Sequence, residues 1–143
     1  MTSGNVFSTI NQMAYTNLID ICRQRYPQEA CGVLARSEGS QAIDIVIPIA
    51  NGHANPIRSF SFDPEQWTAA FFSMQKNRHQ LVGFFHSHPA SEPHPSLRDT
   101  DGFLPQSELS YWIVSLLDWN HPIVQPYLRS EGRPFAPLPL VLA

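Results

Sequence analysis

Residues 83 to 103 read GFFHSHPASEPHPSLRDTDGF, a short apolar stretch that ends in two histidines one residue apart. On an extended strand, side chains at i and i+2 leave the same face about 7 Å apart. His86 and His88 can therefore aim both imidazoles at one ion. Zinc takes histidine nitrogen at about 2.0–2.1 Å, and a catalytic zinc site typically has three protein ligands and one position open to water. The pKa of that water falls to roughly 7, and a base must still take its proton. The loop after the pair offers Glu92, His94, Asp99 and Asp101 as a third ligand, and spacing alone does not choose between them. Two histidines and one carboxylate suit zinc among the divalent metals. Ser96 and Asp99 also satisfy the S-x-x-D capping pattern. A helix opening at Ser96 would hold Asp99 on its first turn, fixed in direction as a ligand should be.

Those residues need a scaffold. In INQMAYTNLIDICRQRYP, Ile10, Ala14, Leu18, Ile21 and Cys22 recur at helical spacing with Pro27 just beyond, which predicts a first helix. ACGVLAR and QAIDIVIPI are strand-like, and with the turn residues SEGS between them they predict a hairpin. NGHANP predicts a loop. Asp63, Pro64 and Gln66 predict a second helix start, with Asp as cap, Pro at the first position and Gln as capping-box partner. That helix should run to about Arg78. LVGFFHSH then predicts a buried strand that delivers the histidines to a loop. YWIVSLL, IVQPYLRS and PLPLVLA predict further strands, the last interrupted by prolines and so placed at a sheet edge or a dimer contact. Trp67, Phe71, Phe72, Trp112, Leu116 and Cys22 are assigned to the core. Helices and strands mix without βαβ alternation, so the predicted class is α/β in the α+β sense, a mixed sheet flanked by helices.

Composition narrows the function. The chain has 143 residues, 43% hydrophobic and 15% charged, which predicts a single domain over residues 1–143 with a packed interior. A formal charge of -3, with nine basic and twelve acidic residues, supplies no basic stripe for a phosphate backbone, so no nucleic-acid partner is expected. No apolar run approaches the ~20 residues of a membrane span, and the N-terminus lacks a charged start before an apolar stretch. A cytoplasmic location without membrane attachment is expected. Cys22 and Cys31 are too few for a disulfide framework or a four-thiolate metal site, and both are read as reduced thiols. Cys31 shares alternation with Glu29, but as a fourth protein ligand it would close the site to water, so no ligand role is assigned to it. His94 and Asp101 are read as surface loop residues.

The order HSHP, six residues, Ser96, two residues, Asp99 resembles the signature of the JAMM, or MPN-plus, zinc metalloproteases. Upstream, YPQEACGVL is similar to the glutamate-bearing segment of compact bacterial members, with Glu29 lying 57 positions before His86. Weaker similarity extends over most of the chain, including the opening helix, SFSFDPEQW and YWIVSL. The resemblance implies a cytidine-deaminase-like JAMM/MPN fold with a curved, mostly antiparallel sheet. It implies one Zn2+ per chain, held by His86, His88 and Asp99. Glu29 would be the general base and Ser96 the oxyanion donor. The implied substrate is a ubiquitin-like protein, cut at the amide bond after a C-terminal Gly-Gly. The compact chain has no evident room for the insertions of eukaryotic deubiquitinating relatives, which favours a small sulfur-carrier protein releasing cysteine or a short extension. A groove beside the zinc would take the extended tail.

Two other classes compete. The same fold serves elsewhere as a scaffold without metal, and a peptidase of unrelated peptides would share the zinc chemistry. A zinc nucleobase deaminase expects H-x-E followed by P-C-x-x-C, and the chain contains no P-C-x-x-C.

Overall fold

The computed structural model describes residues 7–96, 109–129 and 133–143. Strand β1 (Ser8–Ile10) leads into helix α1 (Gln12–Arg25), and strands β2 (Cys31–Arg36) and β3 (Ile45–Ile49) follow. After a loop come helix α2 (Pro64–Lys76), strand β4 (Gln80–His88), and strands β5 (Ser110–Ser115), β6 (Ile123–Leu128), β7 (Ala136–Pro137) and β8 (Leu140–Leu142). Among the described residues, one six-stranded sheet has the order β3-β2-β4-β5-β6-β7, and β1 pairs with β8 in a separate two-stranded sheet. Every neighbour pair of the larger sheet is antiparallel except β4 with β5. The predicted mixed, mostly antiparallel sheet with helices is therefore what forms.

The two helices cover opposite faces because strand alternation sorts the side chains. Ala14, Leu18, Ile21 and Cys22 of α1 pack with Leu34, Phe85, Trp112 and Val114. Ala70 and Met74 of α2 pack with Val33, Ala35 and Phe84 from the other face. Trp67 lies half-buried against that cluster. Phe71 and Phe72, assigned to the core from sequence, are instead 40% and 61% exposed. At about 100° per helical residue, positions 70 and 74 define the inward stripe, and 71 and 72 rotate away from it.

Local signals set the helix ends. Asn11 caps α1 by accepting from the Ala14 N–H at 2.7 Å, so Ile10 belongs to β1, where it is fully buried. Asp63 caps α2 by accepting from the Gln66 N–H at 3.0 Å. The reciprocal half of the expected capping box is not made. The Gln66 Oε1 instead accepts from the Ala50 N–H at 2.7 Å, and the Asp63 N–H donates to the Ala50 carbonyl at 3.0 Å. Helix α2 ends at Lys76, and Arg78 turns the chain with φ of 58°.

Two glycines permit close strand approach. A Cβ on Gly32 would lie 2.2 Å from the Ile47 carbonyl oxygen and 2.5 Å from the Phe85 ring. One on Gly83 would lie 2.3 Å from the Ser110 carbonyl oxygen. Only a bare Cα lets β4 sit between β2 and β5 at these distances. The Pro-rich tail divides in two: β7 forms the sheet edge beside β6, as expected of a proline-broken strand, and β8 leaves to pair in parallel with β1. Among the described residues no helix is long and apolar enough to cross a membrane.

Candidate metallopeptidase site

The central position of β4 fixes the histidines. His86 stands opposite Cys31 of β2 and Ile113 of β5, and His88 stands opposite Ser115. Both rings are buried, 1% and 6% exposed. Ser87 between them points to the other face and is fully buried. Its N–H donates to the Ala30 carbonyl at 2.9 Å, and its hydroxyl oxygen accepts from the Ala30 N–H at 2.8 Å. This doubly bonded step ties the residue before β2 to the strand between the two histidines, and Glu29 lies one residue further upstream. Pairing puts Cys31 and His86 on one face of the sheet, and alternation along β4 puts His88 there too. Glu29, expected from its sequence surroundings alone to be solvated, is only 7% exposed.

Hydrogen bonding orients the imidazoles. The His88 Nδ1 lies 2.8 Å from the Glu92 carbonyl oxygen. A carbonyl only accepts, so Nδ1 carries the proton and Nε2 presents its lone pair. That Nε2 lies 3.2 Å from the Nε2 of His86. Two nitrogens bound to one tetrahedral zinc at about 2.0–2.1 Å would stand roughly 3.3–3.4 Å apart, so the pair fits a shared ion. Phe60 stacks on the His86 ring, with centroids 4.6 Å apart and planes at 22°. Glu92, one of the four candidate third ligands, serves through its backbone carbonyl, and its side chain faces outward.

The loop after His88 is tied to the next strands. The Leu116 N–H donates to the His88 carbonyl at 3.0 Å, the Ser115 hydroxyl to the Ser91 carbonyl at 2.6 Å, and the Tyr127 hydroxyl to the Pro93 carbonyl at 2.5 Å. Burial pushes the Tyr127 phenol up from its ordinary pKa, so it remains a donor. The chain thus reaches Ser96 from an anchored base. Ser96 itself is exposed, as is His94, and Asp99 and Asp101 lie outside the described residues, together with the expected helix opening after Ser96. Among the described residues no three His, Cys, Asp or Glu side chains gather as a metal site.

Cys31 shares the site face, yet its thiol is directed elsewhere. Its Sγ donates to the Ile49 carbonyl at 3.3 Å. Burial pushes its pKa up to about 12, with the Arg25 guanidinium pulling it down and Glu29 pushing it further up.

The sequence reading overlooked four residues that hold this face together: Asn51, Phe60, Ser87 and Ser115. Ser87 carried a signal, because a residue between two ligand positions must face the opposite side and bond there. Asn51, followed by Gly, carried only a turn signal.

The family model for prokaryotic homologs of the JAB domain matches residues 11–126, a span that includes Glu29, His86, His88, Ser96 and Asp99. A desampylase of Haloferax volcanii is 35% identical over 75 residues, 52% of this chain and 54% of that protein. The chain therefore aligns with about half the length of that relative. A CysO-cysteine peptidase of Mycobacterium tuberculosis is 27% identical over 133 residues, covering 92% of this chain and 90% of that one. Among solved structures, a Desulfitobacterium hafniense protein superposes with a TM-score of 0.83 at 31% identity, covering 96% of this chain and 93% of that one. A JAB1/MPN domain protein of Archaeoglobus fulgidus shares the fold with a TM-score of 0.61 at 17% identity, over 96% of this chain and 98% of its own. The glutamate segment, the histidine pair and the sheet that aligns them thus stand within a matched span of most of the chain, which belongs to the prokaryotic JAB-domain family.

Proposed function

We propose that this chain is a zinc-dependent metallopeptidase that hydrolyses the amide bond after the C-terminal Gly-Gly of a ubiquitin-like sulfur-carrier protein. The observation that carries this reading is the pair of histidine Nε2 atoms 3.2 Å apart, with Glu29 buried two residues before Cys31, the strand partner of His86. The names of the relatives support the reaction class: a desampylase and a CysO-cysteine peptidase are hydrolases of this family.

His86, His88 and Asp99 would hold the ion. Bound zinc would supply a Lewis acid for the scissile carbonyl and a water acidic enough to be deprotonated near neutral pH. Glu29 takes the proton from the attacking water and delivers it to the leaving amine, so one carboxylate serves as base and then as acid. Ser96 donates a hydrogen bond to the oxyanion as the carbonyl becomes tetrahedral. The His88 Nδ1–H bond to Glu92 keeps the other ring nitrogen basic and aimed at the site. The leaving group is cysteine or a short peptide, and the protein works in the cytoplasm on an extended carrier tail.

The test is intact-mass analysis of Gly-Gly carrier proteins bearing C-terminal cysteine or short peptides, incubated with zinc-loaded wild type and with Glu29→Gln. Cleavage after Gly-Gly by the wild type is expected, with only a small residual rate in Glu29→Gln. Full zinc occupancy with no carrier cut would replace the substrate class with unrelated peptides, and a protein that takes up no zinc would be a scaffold.

A further inference from the structure

The loop between β3 and α2 touches both halves of the site, and one side chain organises it. Asn51 forms a bridge with Phe62 that closes the loop at its neck. Inside that ring, the Asn51 Oδ1 accepts from the His53 N–H at 3.0 Å and the Ser61 N–H at 3.2 Å. Its Nδ2 donates to the Ser59 carbonyl at 2.9 Å and to the Glu29 carbonyl at 3.0 Å. The Glu29 N–H donates in turn to the Pro56 carbonyl of the same loop at 2.7 Å. Both backbone groups of Glu29 are therefore held by the loop. One residue after Ser59, Phe60 lies against the His86 ring.

We infer that Asn51 is a positioning residue that sets the spacing between the Glu29 carboxylate and the histidine pair. It does so by fastening the Glu29 backbone to the loop that braces His86. The side-chain amide suits this task because it offers acceptor and donors on one short stem. Its oxygen shapes the turn through two backbone N–H groups, and its nitrogen spans two carbonyls from separate segments. A carboxylate at this position would keep the turn and lose the clamp. The catalytic consequence rests on the peptidase reading, whereas the clamp itself does not. A general base displaced by about 1 Å loses on the order of 100-fold in rate.

The experiment uses Asn51→Asp, with Asn51→Ala as a second variant, in the full-length zinc-loaded protein. Amide hydrogen exchange reads the clamp without any substrate. The Glu29 amide should lose about tenfold or more of its protection in both variants, while the Val33 and Phe85 amides of the sheet keep theirs. Unchanged protection at Glu29 overturns the inference. With a cleavable carrier, kcat should fall about 10- to 100-fold while KM stays within about twofold and zinc stoichiometry is retained. On a Glu29→Gln background, Asn51→Asp should lower the residual rate by less than about twofold, because a positioning residue has nothing left to position. Losses that multiply across the two sites would overturn the inference and leave Asn51 a general stabiliser. A wild type that cuts no carrier would sink the functional reading alone, and the exchange measurement would still decide the clamp.

Discussion

Ser87 offers a test of how the segment that carries Glu29 is held against the histidine strand. Its hydroxyl oxygen accepts from the Ala30 N–H at 2.8 Å in a fully buried setting, and its own N–H bonds to the Ala30 carbonyl. Ser87→Ala removes the acceptor and leaves a buried N–H behind, which costs about 1–3 kcal/mol. The packing change is small, since one oxygen is lost from a contact that the backbone bond of Ser87 still holds. The loss should therefore appear as a lower urea midpoint with an unchanged m-value, because the surface exposed on unfolding hardly changes. In a domain of this size each kcal/mol corresponds to roughly 3–5 °C, so the melting temperature should fall by roughly 3–15 °C. The assay is urea unfolding followed by tryptophan fluorescence, with Ser115→Ala as a comparison. Ser115 is also buried; its hydroxyl donates to the Ser91 carbonyl and accepts from the Leu117 N–H at 3.3 Å, a longer bond to an exposed residue, so its loss strands less than the fully buried Ala30 N–H. Ser87→Ala should be the more damaging. A change below about 0.5 kcal/mol, within the range of ordinary surface substitutions, would refute the view that the Ser87 hydroxyl holds the segment before β2 against β4.

Other expectations test single features. His88→Ala should reduce zinc content, measured by elemental analysis, to well below one equivalent, and retention of full occupancy would remove His88 from the ligand set. Ser96→Ala should keep zinc and raise the barrier by about 2.7–4 kcal/mol, read from kcat on a cleavable carrier; a negligible loss would leave Ser96 a capping residue. The two thiols set an alkaline limit. Burial, followed by the neighbouring Cys31, pushes Cys22 up to about 12, and burial pushes Cys31 to about 12. Unfolded thiols ionise near about 8.5, so their contribution to stability is fully present below that pH and is lost as pH rises toward 12. The urea midpoint should drop between about pH 8.5 and 10.5 by less in Cys22→Ala than in the wild type. Native thiols that react with a disulfide reagent at pH 8 as fast as unfolded ones would contradict this.

Much of the scaffold was legible because its signals are local. Asp63 acts within one helical turn, and the apolar runs of β2, β4 and β5 need only neighbouring residues, whereas the sequence reading overlooked the cap Asn11 and counted Ile10 with the helix. Other elements escaped for equally physical reasons. Strand β1 has three residues, too few to show a period, and its partner β8 lies at the opposite end of the chain. PLPLVLA reads as one interrupted strand, yet Pro139 separates two pieces that serve different sheets, and the Pro139 carbonyl accepts from the Ser8 N–H at 2.9 Å. Phe71 and Phe72 are apolar enough for a core, but helical phase turns them outward. Gln66 fits a capping box until Ala50, distant in sequence, offers its N–H.

The same division holds at the site. The sequence by itself determined which residue types are present and how neighbours are spaced: two imidazoles on one strand face, a polar loop after them, and a glutamate at the mouth of an apolar strand. Tertiary structure alone decided that Glu29 would be buried, since the approach of segments 57 positions apart depends on which apolar faces meet and on the Ser87 to Ala30 bonds. It also decided that Asn51 and Phe60 would brace Glu29 and His86. Those contacts join segments far apart in sequence, and no periodicity along the chain encodes them.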